Sequence, residues 1–226
     1  GVQAILDRFG QIEPKVLFGC DGYSYAGKRI DCRRKLAAVV ESLPDTSHTV
    51  LVAFLDDQPD MSHCPEVIPF GSLLQGEGIT EFTQLPFDHP LFVMFSSGTT
   101  GKPKCIVHSA GGTLIQHLKE HVLHTDLKAG DRLFYFTTCG WMMWNWLAGA
   151  LASGATLVLF DGSPFHPDSR MLWRLAEEEK VNVFGASPRF LISSEREGVT
   201  AKKDFDPDYL RTILSTGSPL PGECYD

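Results

Sequence analysis

The chain has 226 residues, a length that suits one large domain or two small ones. Its 28 acidic residues against 20 basic ones leave a net charge of −8, which argues against nucleic acid or an anionic membrane surface as the main partner. Apolar residues make up 43%, enough for a sizeable core, and no apolar run reaches the roughly 18 residues that a membrane span needs.

Apolar strand-like runs alternate with helical patterns along the chain. Lys15–Gly19 reads as a short strand followed by a Gly/Tyr turn. Residues 27–42 then read as an amphipathic helix, and residues 49–55 as a strand buried on both faces. Residues 56–88 are rich in Asp, Pro, Gly and Ser without a period, which predicts an irregular excursion. Strands follow at 91–95 and 105–108, with a helix over 111–124. Strand 132–136, helix 141–152, strand 155–160, helix 168–180, strand 181–184, helix 188–195 and strand 211–215 complete the pattern. The fold class is therefore α/β, with mostly parallel sheets flanked by helices. The six cysteines at 20, 32, 64, 105, 139 and 224 stand singly, with Cys105 and Cys139 in buried-looking text. They read as free thiols of a reducing, cytoplasmic compartment, and no two have zinc-ligand spacing.

The densest chemistry lies in Ser96-Ser-Gly-Thr-Thr-Gly-Lys-Pro-Lys104, directly after an apolar strand. Gly98 and Gly101 allow backbone N–H groups to turn toward one anion, while Ser96, Ser97, Thr99 and Thr100 add hydroxyl donors. Lys102 and Lys104 add the positive charge that a polyphosphate demands. A Walker A loop is excluded by spacing, since only Thr99 and Thr100 separate the glycines and Pro103 follows the lysine. Proline also holds Lys102 extended, so this loop should lead into a strand instead of opening a helix.

SSGTTGKPK resembles the phosphate-binding signature of the adenylate-forming superfamily, and the longer text resembles its acetoacetate-activating acyl-CoA ligases. That longer text includes GWMMWNW at 140–146, FDGSPFHP at 160–167 and LSTGSPL at 214–220. The resemblance implies an acid–thiol ligase using ATP, Mg2+ and coenzyme A, with acetoacetate, acetate or another short-chain acid as substrate. It implies that residues 1–226 are part of the AMP-binding (adenylation) domain, with a small C-terminal domain outside the chain. Both ends read as cut, so the chain alone is expected to bind ATP weakly and not to turn over. A nucleotide-binding module without catalysis is the alternative from another class.

By the same resemblance Ser96 to Gly101 contact the β- and γ-phosphates, with Lys102 and Lys104 as flanking charges and Lys104 as a candidate charge stabiliser. Gly217-Ser218-Pro219 falls where the acetate-activating relatives carry a Gly-Glu-Pro that lines the nucleotide site. Trp141, Met142 and Met143 would wall the acyl pocket, whereas Trp144 and Trp146 read as core. Lys28 and Arg29 are candidates for the coenzyme A phosphates. No catalytic residue is certain within the chain and no metal ligand is assigned. His117-Leu-Lys-Glu-His121 fits the inverted zinc-peptidase motif and has His124 on the same helical face. With no further ligand in view, it reads as a solvated helix face. Gly185-Ala-Ser187-Pro-Arg189 lacks the second glycine of a nucleophile elbow, and Ser187 reads as the N-cap of the helix begun by Pro188.

Overall fold

The alternation of strands and helices resolves into four sheets, and their pairing explains most of the sequence pattern. A computed structural model describes residues 1–64, 66–97, 101–199, 205 and 208–225, which fall into two compact units, Gly1–Ala110 and Gly111–Asp226.

In the first unit, α1 (Val2–Phe9) precedes β1 (Val16–Cys20), the hairpin β2 (Gly22–Tyr25) and β3 (Lys28–Asp31), and α2 (Arg33–Glu41). β4 (His48–Val52), β5 (Ile68–Pro69), the one-turn α3 (Phe70–Leu73), β6 (Pro90–Phe95) and β7 (Cys105–Ser109) follow. β1, β4 and β5 form a parallel sheet in that order. Leu17 and Leu51 from its strands pack with Leu36, Val39 and Leu43, and Val2, Ile5, Leu6 and Phe9 of α1 close that core. Here the expected helix over 27–42 is corrected. Lys28–Asp31 is a strand, antiparallel to Gly22–Tyr25, and the helix starts only at Arg33. Ala26 and Gly27 both take positive φ, 49° and 77°, as a two-residue hairpin turn of the primed type requires. α1 is an element that the strand-and-helix reading did not anticipate.

The second unit opens with α4 (Ala110–Leu118), whose last turns widen into a π-helix over Lys119–His124. It continues with β8 (Arg132–Tyr135), α5 (Met142–Gly149), a 3-10 turn over Ala150–Ser153 and β9 (Thr156–Val158). α6 (Met171–Glu178), β10 (Val183–Ala186), α7 (Pro188–Arg196), β11 (Thr212–Ser215) and a 3-10 turn over Gly222–Tyr225 complete it. The sheet is wholly parallel in the order β11-β10-β8-β9. Strand side chains alternate between two cores, as a sheet covered on both faces must. Leu133, Tyr135 and Val183 join Met143, Trp146 and Leu147 on one face. Phe134, Phe184 and Ala186 join Leu172, Trp173 and Phe190 on the other. Trp173 stacks on Phe184 with ring centres 4.7 Å apart, and its indole N–H donates to Ser194 Oγ at 3.1 Å.

The α/β class with mostly parallel sheets holds; the two exceptions are the antiparallel hairpins β2–β3 and β6–β7. Ser187 occupies the N-cap of α7 with extended backbone, ahead of Pro188 at the first position, but its hydroxyl makes no cap hydrogen bond. All six cysteines are free; Cys105 and Cys139 are exposed, against their buried-looking sequence context. Among the described residues no helix is long and apolar enough to cross a membrane.

Candidate active site

The Ser96–Lys104 segment joins β6 to β7 as the tip of an antiparallel hairpin whose last pair is Phe95 with Cys105. The chain therefore does run from this loop into a strand, as Pro103 dictates. Two hydrogen bonds pinch the base of the loop. The Ser96 N–H donates to the Lys104 carbonyl at 3.0 Å, and the Lys104 N–H donates to Ser96 Oγ at 2.9 Å. Gly101 adopts φ +154°, and a Cβ built there would meet nothing within 4 Å, so open space lies on that side of the loop. Ser97, Lys102 and Lys104 are exposed, whereas Pro103 is buried. Gly98, Thr99 and Thr100 lie outside the described residues. Gln11, which carried no signal in the sequence, braces the hairpin. Its amide donates to the Pro103 carbonyl at 2.8 Å.

The candidates for coenzyme A lie elsewhere in the first unit, on the β2–β3 hairpin. Arg29 is ion-paired to Asp56 at 2.7 Å and also donates to the Leu55 carbonyl, so a ligand phosphate would compete with a carboxylate for it. Lys28 is exposed at the turn.

In the second unit the acyl-pocket candidates open α5. Trp141 is its N-cap, in extended conformation, with the indole 37% exposed, and Met142 is 44% exposed. Met143 is turned inward and belongs to the core with Tyr135 and Leu147. Gly217-Ser218-Pro219 follows β11 and is exposed. Gly217 adopts φ +110°, and a Cβ built there would lie 3.9 Å from the Trp141 indole. Two segments far apart in sequence, 141–143 and 217–219, thus meet beyond the C-terminal ends of β8 and β11, where parallel α/β sheets bind ligands.

Tyr135, the last residue of β8, completes this corner and was read in the sequence only as part of a strand. Its ring meets Trp141 and Trp146 edge-on at 6.3 and 6.0 Å. Burial pushes its pKa up to about 12, with the Thr216 main-chain amide opposing the shift.

The His117–His124 face is a correction. It is not solvated, because His121 is completely buried and His117 nearly so; only His124 of the three imidazoles is exposed. His121 packs on the Trp146 indole at 4.3 Å, and Trp146 Nε1–H donates to Glu120 Oε2 at 2.9 Å. Trp146 is core, as read. His117 lies so close to Gly149 that a Cβ there would collide with its imidazole.

Among the described residues neither imidazole nitrogen of His121 has a partner of hydrogen-bond geometry. Burial, and next the neighbouring His117, pull its pKa from 6.5 down to about 4; the Trp146 main chain and Glu120 favour the proton only weakly. A histidine depressed in this way contributes stability that is complete above its unfolded pKa and is lost as pH falls toward its folded value. Those two values correspond to a loss of about 2 kcal/mol at about pH 5. Unfolding of the full-length protein at about pH 8 and about pH 5 should show this drop, and His121→Phe should remove most of it. An equal drop in the variant would refute the assignment.

The wholly parallel sheet of the second unit and the glycine-, hydroxyl- and lysine-rich segment of the first are of the kind found in α/β nucleotide-binding enzymes. The AMP-binding enzyme family matches residues 2–226, and the chain belongs to that family. The acetoacetyl-coenzyme A synthetase of Rhizobium meliloti is 52% identical to it over 226 residues, covering 99% of this chain and 34% of that protein. The acetoacetyl-CoA synthetase of Mus musculus is 47% identical over 233 residues, covering 100% of this chain and 35% of that protein. A solved structure of acetoacetyl-CoA synthetase from Streptomyces lividans matches with a TM-score of 0.93 at 42% identity, covering 100% of this chain and 34% of that one. The chain spans about a third of the length of the curated relatives it matches.

Proposed function

We propose that the protein carrying this chain is an acid–thiol ligase that activates acetoacetate with ATP and transfers the acyl group to coenzyme A. The acid's carboxylate oxygen attacks the α-phosphorus of ATP, forming the acyl-AMP bond as the bond to pyrophosphate breaks. The thiol of coenzyme A then adds to the acyl carbon, AMP leaves, and the thiol proton passes to solvent. Residues 1–226 belong to the adenylation domain, with the small C-terminal domain outside the chain; the expected excursion over 56–88 is interrupted by β5, which joins the sheet, and by α3. The supporting observation is the hairpin tip, pinched between Ser96 and Lys104, that presents two exposed lysines beside open space at Gly101.

The loop amides and hydroxyls would hold the β- and γ-phosphates, and Lys102 and Lys104 would meet the charge that gathers on the departing pyrophosphate. Trp141 and Met142 would flank the acyl chain, with Gly217 beside the Trp141 indole. Lys28 is the freer of the two coenzyme A candidates, since Arg29 already holds Asp56. Mg2+ accompanies ATP in such chemistry. Among the described residues no group of three His, Cys, Asp or Glu side chains is placed to hold it. The six free thiols support a reducing, cytoplasmic setting.

Exchange of labelled pyrophosphate into ATP by the full-length protein tests the reading. Acetoacetate should support exchange; failure of every short-chain acid to do so overturns the ligase reading, and much faster exchange with acetate or butyrate overturns the substrate. Lys102→Ala and Lys104→Ala should each raise the KM for ATP about tenfold, the size of one charge-assisted phosphate contact. An unchanged KM in both would remove the loop from the phosphate site.

A further inference from the structure

The corner between β8 and β11 contains one polar group that packing does not explain. Tyr135 is 3% exposed, and its hydroxyl, itself shut off from solvent, finds no partner of hydrogen-bond geometry among the described residues. The Thr216 main chain is near enough to oppose the burial-driven rise of its pKa, but no described acceptor takes the phenol proton. An unmet buried hydroxyl is destabilising, and phenylalanine would fill the same space without that cost. Phenylalanine is what the neighbouring positions use, at Phe134 and Phe184. The hydroxyl also has a specific address. Thr216 stands next to it, and the Tyr135 ring meets the part-exposed Trp141 edge-on at 6.3 Å.

We propose that the Tyr135 hydroxyl is the donor that selects an acid bearing an oxygen on its short chain, by hydrogen bonding to the β-keto oxygen of acetoacetate. The proposal rests on the ligase reading above and names the residue that sets its substrate. A neutral phenol is matched to a neutral carbonyl, while the carboxylate at the other end of the acid must stay free to attack phosphorus. The acid approaches past the Trp141 indole and supplies the acceptor that the folded chain does not. Because burial holds the phenol protonated up to about pH 12, the donor is present at every working pH. Butyrate has the same chain length and no keto group, so it would enter the pocket and leave the hydroxyl unmet. A site that offers a buried polar group discriminates strongly against an analogue lacking the partner.

The test compares kcat/KM for acetoacetate and for butyrate in the full-length protein and in Tyr135→Phe. The unsubstituted protein should favour acetoacetate. Tyr135→Phe should lose about 30-fold on acetoacetate and stay within about twofold on butyrate, as the loss of one buried hydrogen bond to substrate predicts. Retained turnover of butyrate also shows that the variant is folded and its phosphate site intact. If the unsubstituted protein favours acetoacetate and Tyr135→Phe keeps that preference, or loses both acids equally, the Tyr135 assignment is overturned alone. If the unsubstituted protein does not favour acetoacetate over butyrate, the substrate reading falls and takes the assignment with it.

Discussion

Replacing Asp21 with alanine is expected to lower the stability of the protein by about 4 kcal/mol, a large fraction of what a domain possesses. Asp21 follows β1 directly and is only 2% exposed. Its Oδ1 accepts from the amides of Phe54 and Leu55 at 2.7 and 3.1 Å, and its Oδ2 from those of Leu55 and Asp56 at 3.1 and 2.9 Å. Three consecutive amides beyond β4 thus converge on one carboxylate, an anion nest filled from within the chain. The Asp21 carbonyl also accepts from Cys32 N–H at 2.8 Å, tying the start of α2 to the same point. Alanine removes the acceptor and leaves three partly buried donors unmet, whereas Asp21→Asn keeps one carboxamide oxygen and should lose about half as much. Burial alone would raise the Asp21 pKa, but the amides of Phe54, Leu55, Asp56 and Gly22 outweigh it and hold the value below 3.8. Its contribution is therefore complete above the unfolded carboxylate pKa and fades as pH falls through that value and on toward the lower folded one. Denaturant unfolding of the full-length protein measures the difference; an alanine variant that unfolds at the original midpoint would refute the role.

Asp21 shows where sequence reading stopped. A lone aspartate in Gly19-Cys-Asp-Gly22 carries no local signal, because its three partners lie more than thirty residues away. The same holds for Gln11 under the hairpin tip. What was legible is what repeats at short range. The apolar runs at 132–136 and 181–184 predicted strands because both faces of that sheet are covered, and Pro103 predicted that the loop would enter a strand. The β2–β3 hairpin was missed because its turn is Ala26-Gly27, not Asn-Gly, and because Lys28 and Arg29 merge in sequence with the true helix from Arg33. The histidine face was misjudged for a different reason. Thr113, His117 and His121 do recur at helical spacing, yet polar residues at that spacing announce a wet surface unless the partner is known. Trp146 on α5 is that partner, and only the fold brings it over His121.

The candidate site divides in the same way. The loop was readable because glycine, hydroxyl and lysine chemistry is compressed into nine residues. The proposed acyl-pocket segment was readable only through resemblance, and Tyr135, proposed beside it, looks in sequence like any strand aromatic. The distinguishing property is the unmet hydroxyl, which depends on what does not stand next to it.

Gly185→Ala should cost about 3 kcal/mol or more, although it adds a single methyl group. Gly185 faces Tyr135 in the register of β10 with β8, and a Cβ built at 185 would overlap the Tyr135 ring. The ring cannot simply retreat, since Trp141 and Trp146 hold its other sides and its strand is bonded to both β9 and β10. The added methyl must therefore separate two central strands or drive Tyr135 toward Trp141, and either movement displaces the Tyr135 hydroxyl. Gly71, in α3, provides the contrast. A Cβ there meets nothing within 4 Å, so Gly71→Ala should stay within about 0.5 kcal/mol of the original. Unfolding free energies of both variants of the full-length protein separate crowding from the general effect of replacing glycine. Tyr135→Leu, which removes the ring, should recover part of the Gly185→Ala loss in a double-mutant cycle, with a coupling of about 1–2 kcal/mol. Additive effects would mean that Gly185 is required by its own backbone and not by the tyrosine beside it. A positive coupling would instead tie the glycine to the tyrosine, because the close approach it permits is what lets the Tyr135 ring lie over β10.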